Sequence, residues 1–224
     1  MFRSLHMKLV LILLLLITSL MTIVGAFLMT SITGFYIDEF YQQVESVFGS
    51  SNPSNASFVS SLRSWAAQEN VQELQEMIEA RAGDLGLNST TRTYYILDGR
   101  TGEYLAGSDA EGAASLQATA NLLTARASIA RGASEVGSAS DINAPYMDVA
   151  IPITGGEGAY IIYIYDNRDT VSSLNSQLFL ILVQALLVGL LISVLLSFLL
   201  SKTMVTPIER LTEGAERVAA GDFG

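Results

Sequence analysis

Cysteine is absent from this 224-residue chain, histidine occurs once, and residues 31–177 contain no lysine. Without cysteine, neither a disulfide framework nor a thiolate metal site can form. The single histidine, His6, sits at the edge of an apolar run, where it reads as an interfacial residue rather than a phosphoacceptor. Basic residues are scarce, 12 Lys and Arg against 22 Asp and Glu, which removes the positive surface that nucleic-acid binding requires. A phosphate-cradling glycine loop is missing too: Gly155-Gly156-Glu157-Gly158 precedes a strand-like run, not a helix, and reads as a hairpin turn. Charge of either sign is missing from residues 9–37 and again from residues 170–201.

Those two uncharged stretches hold cores of Leu, Ile, Val, Met and Phe at residues 9–29 and 178–200. About 20 helical residues cross a hydrocarbon layer of roughly 30 Å, so both are long enough to span a membrane. The first is longer than the apolar region of a signal peptide, and Gly25-Ala26-Phe27 is a poor cleavage site, so an uncleaved anchor is expected. Arg3 and Lys8 precede the first span and Lys202, Arg210 and Arg217 follow the second. By the positive-inside rule both termini are cytoplasmic and the loop is extracytoplasmic, in a multi-pass protein of the plasma membrane. The expected organisation is a cytoplasmic N-terminus (1–8), a span (9–30), an extracytoplasmic domain (31–177), a second span (178–200) and a cytoplasmic segment (201–224). The loop carries 18 acidic and 7 basic residues, a net charge of −11.

Within the loop, Phe35, Phe40, Val44 and Val47 suggest that the first membrane helix runs on outward until residues 49–53 break it. Ser54 or Asn55 is the expected cap of a second helix, interrupted near Gln68-Glu69-Asn70 and ended by Gly83. Residues 93–97 read as a strand, 98–102 as a turn and 103–106 as its partner, followed by a helix over 113–130. In the strand 146–153, Met147, Val149, Ile151 and Ile153 share one face. The strand 159–165 is apolar on both faces and belongs in the middle of a sheet covered on each side. The loop is therefore an α+β domain with its own core.

Beyond the second span, Pro207 is placed to open a helix, and Ile208, Leu211, Ala215 and Val218 follow at the spacing of a coiled-coil seam. Gly221 stops it, with Asp222 and Phe223 next. Pro-Ile-x-x-Leu, then Ala, Val and Gly-Asp-Phe, directly after a membrane helix, resembles the first helix of a HAMP linker. The resemblance covers residues 203–224 and implies a parallel homodimer that relays a signal to an output domain. The connector to a second linker helix would begin near Gly224.

The layout of span, external domain, span and linker resembles bacterial membrane sensor histidine kinases. The order of elements in the loop, with Tyr94-Tyr95-Ile96-Leu97-Asp98-Gly99 and the late strand around Asp148, resembles their PAS/Cache-type sensor domains. The resemblance implies detection of an unknown extracytoplasmic ligand or protein and a response regulator as downstream partner. It implies ATP and Mg only for a kinase domain that residues 1–224 do not contain, and no cofactor here. The same front half also serves chemoreceptors and nucleotide cyclase receptors. A membrane-anchored binding protein without signalling is the third reading, and it would have no use for the 208–218 seam.

Candidate ligand contacts are polar groups on apolar strands: Arg92, Tyr94 and Tyr95 on the first, Tyr163 and Tyr165 on the central one, and Asp148. Asp148 reads either as a solvated position or as an anchor for a ligand amine or cation. The acidic pairs Asp109/Glu111 and Asp166/Asp169 read as surface charge, since their spacing matches no calcium loop. For relay within the membrane, Gly189, Ser193 and Ser197 form a small-residue stripe expected at the interface of the homodimer, and Gln184 offers a mid-span amide that can hydrogen-bond across it. Thr18, Thr22, Ala26 and Thr30 form a similar stripe on the first span.

Overall fold

The computed structural model describes residues 5–49, 52–141 and 144–200, together with Pro207, Gly214 and Gly221. The chain divides into two units, one formed by residues 1–31 with 174–224 and the other by residues 32–173. Helix α1 spans Leu5–Phe48 and helix α6 spans Asp169–Leu200. Both are long and apolar enough to cross a membrane, and only 6% of the most apolar window in each is buried. That exposure is wrong for the core helix of a soluble protein and right for a lipid-facing one.

Within the first unit, the two helices touch at glycine. A Cβ on Gly25 would lie 3.0 Å from Leu182 Cδ1, and one on Gly189 would lie 3.5 Å from Ile17 Cγ2. Ser193 is buried, so this part of the small-residue stripe lies inside the chain. Gln184 is instead exposed, as are Thr18, Thr22, Ala26 and Thr30. The side chain of Ser197 lies outside the described residues. So do Ile208, Leu211, Ala215, Val218 and Asp222, while Pro207 is helical and Gly221 has φ +82°.

The second unit is α+β. Its sheet has four antiparallel strands in the order β2-β1-β4-β3. They are β1 (Arg92–Asp98), β2 (Tyr104–Gly107), β3 (Met147–Gly155) and β4 (Gly158–Asp166). Strand β4 is central, as its two apolar faces require. Tyr160, Ile162 and Ile164 pack with Met147, Val149, Ile151 and Ile153 against α1 and the helices α2 (Pro53–Ala67) and α3 (Val71–Glu79). Ile161 and Tyr163 pack on the other side with Leu97, Ala150 and helix α5 (Ala120–Ala130). The β3–β4 turn presses on α2: a Cβ on Gly155 or Gly158 would fall 2.1 or 2.0 Å from the carbonyl oxygens of Arg63 and Ala66.

Three sequence-based boundaries move, two because a cap decides them and one because the helix tightens into turns. Asn52, not Ser54 or Asn55, caps α2, accepting from the Ser54 N–H with Pro53 at the first helical position. Helix α3 begins after Asn70, whose side chain accepts from the Glu73 N–H, and Glu69 at φ +55° makes the expected break. It ends at Glu79 rather than Gly83, because Arg81 and Ala82 bond to carbonyls three residues back and tighten into turns. The helix expected over 113–130 is shortened to α5, since Thr119 takes the Leu122 N–H on its side chain. The short helix α4 (Ala110–Ala113) precedes it.

At the open end of the β1–β4 ladder, Arg92 is paired in register with Asp166. Its Nε donates to Asp166 at 3.1 Å, Nη1 donates to Gln43 of α1 and to the Leu85 carbonyl at 2.5 and 2.7 Å, and the guanidinium lies 4.7 Å from the Phe40 ring centre. The two charged side chains are only 10% and 7% exposed. Removing one partner of such a pair strands the other without solvent. Arg92→Ala is expected to cost about 3–5 kcal/mol, whereas Arg131→Ala, in an exposed pair, should cost about 1 kcal/mol or less. Denaturant unfolding of the chain in detergent, followed by near-ultraviolet circular dichroism, measures both.

Candidate functional site

Strand alternation puts Thr93, Tyr95 and Leu97 on one face of β1 and Tyr94 and Ile96 on the other. On β4 the matching face carries Ile161, Tyr163 and Tyr165, with Tyr95 paired to Tyr163 and Thr93 to Tyr165. Helix α5 covers the Leu97 and Ile161 end of this face. Beyond the start of α5 the face is roofed by the segment from α4 to Thr119, and a cavity of about 420 Å³ remains between roof and sheet. That size suits a small ligand.

Tyrosines form the floor. Successive ring centres run from Tyr104 to Tyr95, to Tyr163 and to Tyr165 at 6.3 Å each, and from Tyr165 to Tyr146 at 5.6 Å. Ser115, Gln117 and Thr119 supply polar groups from the roof, Thr91 and Asn167 from the strand ends. Asp109 is the sole charged side chain among the described residues of the lining.

Asp148 lies on the same face of the sheet, beside this floor on β3 opposite Tyr165, and is 4% exposed, so the solvated reading of that residue does not hold. Its Oδ2 accepts from the Thr119 hydroxyl at 2.5 Å and the Tyr163 hydroxyl at 3.0 Å; its Oδ1 accepts from Asn121 Nδ2 at 2.8 Å. Asn121 also donates to the Ala139 and Asp148 carbonyls and accepts from the Ala139 N–H, pinning the 137–141 segment along β3. A buried carboxylate with three donors is a satisfied group. It holds Thr119 and Tyr163 in place rather than reaching a ligand itself.

The structure thus gathers Tyr163 and Tyr165 at one cavity, with Asp148 beside them on β3. Arg92 and Tyr94 lie on the opposite face. Arg92 is held by Asp166, Gln43 and Leu85, and Tyr94 donates its hydroxyl to Glu79 at 2.7 Å. Asp109, Gly112, Thr119 and Asn121 are the residues that sequence reasoning passed over as site groups. Thr119 was recognisable as a helix cap, but its bond to Asp148 joins positions 29 apart in sequence. A further cavity of about 490 Å³ between α1 and β3 has a mixed lining, with aliphatic residues such as Val44, Val136 and Ile151 beside Tyr41, Asp38 and Glu45. Among the described residues, no group of three or more His, Asp or Glu is arranged to hold a metal ion.

No family model, curated protein or solved structure matches the chain.

Burial raises the Tyr163 hydroxyl far above the ordinary value of 10.0, with the nearby Asp148 charge adding to it, and burial raises Tyr95 and Tyr165 as well. These phenols stay protonated and keep their hydrogen bonds through neutral pH. A raised value in the fold means stability that is whole below pH 10 and lost as pH climbs through the raised values. Alkaline titration is expected to show the buried phenols ionising together with loss of the fold, read as tyrosinate absorbance coinciding with the change in circular dichroism. Independent, non-cooperative ionisation of these rings before unfolding would contradict their burial.

Proposed function

We propose that this chain is the sensing and signal-transmitting part of a bacterial two-component sensor histidine kinase. In this reading the 31–177 domain is extracytoplasmic and PAS/Cache-like, and residues 201–224 begin a HAMP linker. One observation carries the proposal. A tyrosine-floored cavity sits on the same strand, β4, whose end at Asp166 is separated from the start of α6 at Asp169 by Asn167 and Arg168 alone. A ligand that touches Tyr165 is therefore four residues from a membrane-length helix.

Such a ligand changes the output only if it binds two arrangements of the chain with different affinity. A parallel homodimer offers two arrangements, because packed helices are bistable at their interface. Gln184 supports this: it is exposed in the middle of an apolar helix, where lipid cannot satisfy its amide and a second copy can. The interface proposed is thus the Gln184 face of α6, turned from the Gly189 face that meets Ile17. Output would pass to an ATP- and Mg-dependent kinase domain and from there to a response regulator.

Two measurements test the proposal. A cysteine replacing Glu103 should react with an impermeant reagent in intact cells, and one replacing Thr212 should not; the reverse pattern means the orientation is wrong. Disulfide crosslinking of single cysteines through α6 should peak at positions 181, 184, 188 and 191. A peak at 189 and 193 instead would place the dimer contact on the face that the chain uses internally, and no crosslinking at all would refute the dimer.

A further inference from the structure

Resting on the reading of the β4 cavity as a ligand site, we propose that its ligand is a small organic cation carrying N–H donors, held on the Asp109 carboxylate. Three features of the lining point this way. The first is charge. Asp109 is the one charged side chain among the described lining residues, and no Arg, Lys or His is there to receive a carboxylate or phosphate. An anion brought into this cavity would lose its hydration without any ion partner, in a domain whose net charge is −11.

The second feature is the direction of the hydroxyl protons. A carboxylate accepts hydrogen bonds and donates none, so Thr119 and Tyr163 both spend their protons on Asp148 Oδ2. Thr119 also accepts from the Leu122 N–H. What Tyr163 can offer to the cavity is lone pairs. At Tyr163 the floor therefore accepts where an anion would need a donor, and the tyrosine row adds aromatic surface that favours a cation.

The third feature is space beside Asp109. Its Oδ1 accepts from the Gly112 N–H at 2.9 Å, whereas Oδ2 has the Tyr95 hydroxyl only at 3.4 Å. Gly112 has no positive φ that would call for glycine. Yet a Cβ there would fall 2.0 Å from Asp109 Oδ2 and 3.1 Å from the Tyr95 hydroxyl. The missing side chain leaves the carboxylate open to the cavity. Asp148, the residue the sequence offers as the amine anchor, instead orients the acceptors, and Asp109 supplies the reachable charge.

The test uses the full chain in detergent micelles and three probes of one length: 1,4-diaminobutane, butane-1,4-diol and succinate. Calorimetric titration is expected to show saturable binding of the diamine, binding of the diol about tenfold weaker or less, and none of succinate. Asp109→Asn keeps the helix cap but not the charge, and should weaken the diamine about tenfold or more, the loss of one charge-assisted hydrogen bond, with the melting temperature of the free protein unchanged. Gly112→Ala should weaken it likewise by covering the carboxylate. Succinate binding that Gly112→Ala abolishes would overturn the cation assignment and leave the cavity as a ligand site. Diamine binding that both variants leave unchanged would also overturn it. No binding by any probe overturns the cation assignment and removes support for sensing at this cavity.

Discussion

Strand β4 has no polar face, and the rest of the second unit follows from hiding it. Ile162 and Ile164 point to one side, Ile161 and Tyr163 to the other, and all four are fully buried. Burying each such side chain contributes about 1.5–3 kcal/mol. That gain is realised only if layers cover both faces and strands flank both edges. Helices α1 to α3 supply one layer and α5 the other, while β1 and β3 close the edges. The second layer is shorter than the sheet. The uncovered remainder of that face is the cavity, so the site is a consequence of incomplete cover over a strand that must be covered.

The polar groups near this core divide into those that hold and those that remain available. Arg92 and Asp148 are both buried ionisable groups on strand ends, and each is held by neighbours from other segments. Arg92 ties β1 to β4, to α1 and to the turn after α3. Asp148 ties β3 to β4 and to the start of α5. Asp109, at the N-cap of α4, keeps an oxygen without a close donor. The contrast shows why burial alone is a poor guide to a ligand contact: the most buried carboxylate is the most fully occupied one.

In the unit that holds the two membrane-length helices the same division recurs. Small residues permit close approach, and the chain uses Gly25 and Gly189 for contact between its own two helices. A polar side chain in lipid seeks a partner, and Gln184 is turned away from that contact. Thr18, Thr22 and Thr30 return their hydroxyls to carbonyls four residues back, which satisfies them without any second helix. They need no interface to satisfy them, and among the described residues Gln184 has no such local partner.

The two membrane-length helices are legible in the sequence, because uninterrupted apolar length is a local property. The central strand is legible in the same way, since alternation and two-sided hydrophobicity are read within nine residues, and so is the break at Gln68–Asn70. Alternation also put Tyr94 and Tyr95 on opposite faces. Which face stays open emerges from packing, because it depends on where α5 begins and how far its cover extends. Arg92 meets Asp166 across 74 positions and Asp148 meets Thr119 across 29. No local pattern encodes whether a strand-end charge finds its partner within the fold or is left for a ligand. That follows from which distant segments packing brings within hydrogen-bond reach.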